Sequence, residues 1–114
     1  MIAHVVLFRP KQSLSADDRR ALMDALAHAL ANIPLIKRAD IGRRKTLGRQ
    51  YDAINSIQFP YAAILEFESE ADLRAYLDHP AHQRLGEQFY LTSEVALAFD
   101  FEMLGPERAR ELLA

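Results

Sequence analysis

The chain has 114 residues, 50% hydrophobic and 26% charged, which places it among single globular domains and outside disordered or low-complexity chains. With no cysteine, it cannot be a disulfide scaffold, a thiolate metal centre, an iron–sulfur protein or a cysteine hydrolase. The formal net charge of -2 argues against nucleic acid as a main partner, since phosphate neutralisation needs a basic surface. No apolar run is long enough to span a bilayer, and Met1-Ile2-Ala3-His4 lacks the basic start of a signal peptide, so no membrane association and a cytoplasmic location are expected.

Residues 2–9 read as a strand with Ile2, His4, Val6 and Phe8 on one face and Ala3, Val5 and Leu7 on the other. Both faces are apolar, so both need cover. Ser15, with Asp18 three residues on, is a helix start of the capping-box type. Leu22, Leu26, Leu30 and Ile33, flanked by Met23 and Ala29, then form an apolar stripe opposite Arg20, Asp24 and His28, and Asn32-Ile33-Pro34 ends the helix. Residues 35–46 are poor in apolar side chains and rich in Lys37, Arg38, Arg43, Arg44 and Lys45, which suits an edge strand running into a mobile loop. Residues 48–60 read as turn, and residues 61–68 as a second firm strand with Tyr61, Ala63, Leu65 and Phe67 on one face.

Ser69 and Asp72 repeat the start signal, and Leu73, Tyr76 and Leu77 form the inner side of a short helix. Pro80 fits the first turn of a new helix better than the middle of an old one, so His79-Pro80-Ala81-His82 opens a second short helix with Leu85 and Phe89 inward. Alternation from Val95 to Met103 gives the last strand. Gly105-Pro106 breaks it, which divides the chain into a domain of residues 1–104 and a short helical tail of residues 105–114. Strand, helix, strand, strand, helix pair, strand is the order of a ferredoxin-like α+β fold: a four-stranded antiparallel sheet with helices on one face. The uncovered face predicts a homodimer in which two sheets pack together as an α+β barrel.

His4-Val5-Val6-Leu7-Phe8-Arg9, the strand Ala63-Ile64-Leu65-Glu66-Phe67-Glu68-Ser69, the segment Tyr76-Leu77-Asp78-His79-Pro80-Ala81-His82 and the ending Ala98-Phe99-Asp100-Phe101 together resemble the stress-responsive A/B barrel (Dabb) family. The likeness covers most of residues 1–103. It implies a dimeric α+β barrel, and a functionally mixed family that includes plant stress proteins and polyketide cyclases similar to olivetolic acid cyclase. In the cyclase-like members a tyrosine and a histidine of this segment act together, and Tyr76 and His82 match them.

The residues themselves support that chemistry. At the start of a helix, unpaired N–H groups disfavour imidazolium, so His82 is suited to act as a neutral general base beside a carbonyl. An inward Tyr76 can donate to the enolate that forms. The structural alternative is that Tyr76 and His82 satisfy each other and pin two helices. His4, on a buried strand face, needs a partner or a cavity, and either contacts a ligand or serves the core. His79 suits a loop or cap, and His28 faces solvent. The His79-x-x-His82 spacing is broken by Pro80 and lacks a third ligand, so no metal is expected. No glycine-rich phosphate loop or nucleophile elbow is present, so no cofactor and no serine hydrolase are expected. The basic stretch from Lys37 to Arg49 either attracts an anionic group or is a solvated loop without aromatics for base stacking. Three functions remain open: a cofactor-independent cyclase or isomerase acting on a small, apolar or anionic carbonyl compound, a non-enzymatic stress-associated dimer or ligand binder, and a monooxygenase of the wider barrel group.

Overall fold

The computed structural model describes residues 1–113. Its elements are β1 (Ile2–Pro10), α1 (Ala16–Asn32), β2 (Arg38–Arg43), α2 (Gln50–Ile54), β3 (Tyr61–Phe67), α3 (Glu70–Asp78), α4 (Pro80–Thr92) and β4 (Ser93–Glu102). A 3₁₀ turn (Pro106–Arg108) and a one-turn helix, α5 (Ala109–Leu112), follow. The strands form one antiparallel sheet in the order β2-β3-β1-β4, and the fold is ferredoxin-like as expected.

Both helix starts obey their sequence signals. The Ser15 hydroxyl accepts from the Asp18 N–H at 3.0 Å while the Asp18 carboxylate accepts from the Ser15 N–H at 3.2 Å, closing a reciprocal box. The Ser69 hydroxyl accepts from the Asp72 N–H at 3.1 Å. Pro80 occupies the first turn of α4, where its missing N–H costs nothing, and the His79 imidazole caps that helix by accepting from the Ala81 N–H at 3.0 Å. His79 thus has the capping role anticipated for it.

Register decides which side chains meet. His4 lies between Leu65 of β3 and Asp100 of β4, and Val6 lies between Ala63 and Ala98. Directly paired residues share a face, so His4, Phe8, Ala63, Leu65 and Phe67 point toward the helices, where α1 packs along α4. Phe67 and Ile33 are fully buried there. The other face carries Val5, Leu7, Ile64, Leu97, Phe99 and Phe101 with no helix over it. Phe99 and Phe101 are 49% and 51% exposed.

Two details depart from the sequence expectation. In α1 the buried residues are Leu22, Ala25, Leu26 and Ala29, while Met23 and Leu30 are exposed, because close approach of α1 to α4 favours alanine at the contact. Residues 50–54 of the supposed turn form α2, held by Asp52, whose carboxylate accepts from the Leu47 and Arg49 N–H groups and pairs with Arg44 at 3.6 Å. Residues 38–43 of the basic stretch are laddered to β3 as the expected edge strand. Of its cations, Lys37, Arg38 and Arg44 are taken up by Glu68, Asp40 and Asp52.

Candidate active site

Tyr76 is in the last turn of α3 and His82 in the first turn of α4, so the break at His79-Pro80 folds one against the other. Their ring centroids lie 4.6 Å apart. Tyr76 also packs on Phe67 at 5.0 Å and meets the His4 ring edge-on at 6.0 Å. The three polar rings named from the sequence therefore form one cluster, with Tyr76 in the middle. The tyrosine and the histidine do not bond to each other. His82 Nδ1 instead donates to the Leu77 carbonyl at 3.1 Å, a free acceptor at the end of α3.

That contact settles the tautomer. A carbonyl oxygen only accepts, so Nδ1 carries the proton and Nε2 keeps its lone pair. Burial lowers the His82 pKa below 6.5 and the neighbouring His4 lowers it further, against the opposing pull of the Leu77 carbonyl. His82 is thus a neutral base at neutral pH. Burial pushes the Tyr76 phenol up to about 12, so it stays protonated and can donate. The side-chain hydrogen bonds of the cluster leave the Tyr76 hydroxyl unused.

His4 has a partner that the sequence did not suggest. Its Nδ1 donates to the Asp100 carboxylate at 2.6 Å, and the imidazole is almost fully buried while the carboxylate is half exposed. The carboxylate only accepts, so Nδ1 of His4 carries a proton and the ring's orientation is fixed. In the sequence Asp100 stands only within the ending Ala98-Phe99-Asp100-Phe101, and it is the β1–β4 register that brings it opposite His4.

All three rings border a cavity of about 280 Å³, whose remaining wall is mostly apolar and includes Val6, Leu26, Leu65, Leu85 and Phe89. This is near the small end of the range of ligand pockets, which runs from roughly 300 to 1,000 Å³. A larger cleft opens elsewhere on the helix side, but none of these three rings reaches it. Among the described residues, no three histidine, aspartate or glutamate side chains gather as a metal site. Among the described residues, no helix is long and apolar enough to cross a membrane.

Sheet order, helix placement and a cavity between them define a ferredoxin-like α+β domain with a polar cluster under its helices. Residues 2–103 match the Stress responsive A/B Barrel Domain, and the chain belongs to that family. Among solved structures, a dimeric ferredoxin-like protein of unknown function from Thermobifida fusca is 25% identical, with 90% of each chain covered and a TM-score of 0.67. A hydroxynitrile lyase from Passiflora edulis is 18% identical over 92% of this chain and 96% of its own, with a TM-score of 0.73. SnoaB, a cofactor-independent oxygenase from Streptomyces nogalater, is 15% identical over 91% of this chain and 93% of its own, with a TM-score of 0.65. The last two share the fold, and their differing activities show that the fold alone names no reaction. No curated protein matches the chain significantly.

Proposed function

We propose that the protein is a homodimeric, cofactor-independent enzyme that binds a small, partly apolar carbonyl compound in the cavity beside His4, Tyr76 and His82 and catalyses its cyclisation or isomerisation. The observation that carries this reading is the convergence of a neutral imidazole, an unused phenol and an oriented second imidazole on one apolar cavity. His82 Nε2 removes a proton from the carbon next to the carbonyl, and the electron pair passes to the carbonyl oxygen. The Tyr76 hydroxyl stabilises that enolate by donating to it. In a cyclisation, the enolate carbon attacks a second carbonyl of the same molecule, and His82 returns its proton to the new alkoxide. His4, held by Asp100, lies where it can orient the substrate.

The reading takes residues 1–104 as the catalytic domain, residues 105–114 as an appended tail, and the cytoplasm as its location. The dimer follows from the open apolar face, and the Thermobifida relative is described as dimeric. A non-enzymatic dimer would use the same residues as packing, and His82→Asn separates the two. Asparagine can still donate to the Leu77 carbonyl but offers no imidazole base. The expected outcome is loss of turnover by about 10²- to 10⁴-fold with an unchanged melting temperature. A lower melting temperature with unchanged ligand affinity would instead make His82 a structural pin.

A further inference from the structure

A second cleft, of about 930 Å³, belongs to none of this chemistry. It exists because α1 and α4 pack against each other and leave the edge strand β2 without a helix above it. Ile41 belongs to the helix-side set of β2, opposite Ala63, yet is 49% exposed. Met23, from α1, also lines the cleft and is 50% exposed. Phe8, Leu22 and Tyr61 complete an apolar wall.

Its charge is one-sided. Four cations, Arg9, Lys11, Arg19 and Arg43, line the cleft against one carboxylate, Glu94, and Arg9 already engages Glu94 at 3.2 Å. Among the described residues, Lys11, Arg19 and Arg43 have no ion-pair partner. Arg19 and Met23 are one turn apart on α1, and Ile41 and Arg43 are neighbours on one face of β2, so each wall presents an apolar group next to an unpaired guanidinium. Guanidinium pairs well with carboxylate, through two parallel hydrogen bonds, and the apolar surface beside it suits a hydrocarbon body.

The geometry points to a second ligand site here, for an amphipathic monocarboxylate of the fatty-acid type, with its carboxylate at Arg19 and Arg43 and its chain along Leu22, Met23, Ile41 and Tyr61. The site is separate from the polar cavity. Phe8 lines the cleft, Phe89 lines the cavity, and their rings meet edge to face at 5.0 Å, so the two spaces share an aromatic partition.

Decanoate is a suitable probe, with 1-decanol as its uncharged counterpart, using calorimetry and backbone amide shifts on the whole chain. Saturable decanoate binding is expected, weakened at high salt, with amide shifts centred on α1 and β2. Decanol should bind at least tenfold more weakly. The Arg19→Gln, Arg43→Gln double variant should lose at least tenfold in decanoate affinity, and Ile41→Asp a similar factor, with melting temperatures unchanged because all three side chains are exposed. His82→Asn should leave decanoate affinity as it is, whatever it does to turnover. Absence of saturable binding, equal affinity in the arginine variant, or loss of affinity in His82→Asn would overturn the assignment. Decanoate-driven dissociation of a dimer would overturn it as well, by giving the cleft to a second copy of the chain.

Discussion

Asp100 shows how one side chain acts through another. Its carboxylate accepts a hydrogen bond from the His4 Nδ1–H, which fixes that proton and the orientation of the ring. Asp100→Asn presents an amide that can donate as well as accept, so the tautomer is no longer held. The expected result is a mixture of His4 tautomers, visible in ring nitrogen shifts, with turnover lowered while substrate affinity changes little. A wild-type tautomer pattern in that variant would remove the positioning role.

His82 carries the pH dependence. Its folded pKa is lowered by burial from the unfolded value of 6.5, so between these two values the unfolded chain holds more protons. The contribution to stability is therefore complete above pH 6.5 and lost as pH falls through the folded value. A titration of ring proton shifts should give a His82 midpoint below 6.5, and the acid limb of the rate profile should follow that midpoint. In His82→Asn the acid-side fall of the melting temperature should become shallower.

At the scale of elements, the caps hold the polar cluster indirectly. Ser69 starts α3, and Tyr76 stands two turns further along the same helix. Ser69→Ala should cost about 1 kcal/mol, read from denaturant midpoints, with turnover reduced less than in any variant of the cluster itself. Such start signals are readable because serine and aspartate act on backbone groups three residues away, within the same stretch of sequence. The same locality explains what was not readable. The five residues of α2 complete no hydrophobic period, and Asp52 organises them by collecting N–H groups from outside the helix. The burial of Ala25 and Ala29 in place of Met23 and Leu30 depends on how closely α4 approaches α1, which no pattern within α1 reveals. His4, Tyr76 and His82 could be named from spacing and family likeness. Asp100 could not, since its link to His4 spans 96 residues and arises only from strand register.

At the scale of the whole molecule, the sheet face bearing Ile64, Leu97, Phe99 and Phe101 is the feature that one chain leaves incomplete. Contiguous apolar patches of this kind mark interaction sites on soluble proteins. Light scattering should give twice 13.0 kDa, and Phe99→Asp should halve the mass or unfold the chain, because a charge would enter the centre of the joined sheets. A monodisperse wild-type monomer at micromolar concentration would remove the barrel from the account. His4 points to the helix side of the sheet, opposite this face, so sheet-to-sheet pairing would not cover its ring directly.

Proton abstraction by His82 is the step on which the functional account depends, and it can be observed without knowing the natural product. In D₂O, the wild-type protein should speed deuterium entry at the α-carbon of a small aryl ketone such as phenylacetone, followed by proton NMR against a protein-free control. Tyr76→Phe should slow that exchange, and His82→Asn should return it to the control rate while remaining folded. Exchange that is no faster than the control across a series of small ketones, or that is equally fast in His82→Asn, would contradict the assignment of His82 as the base.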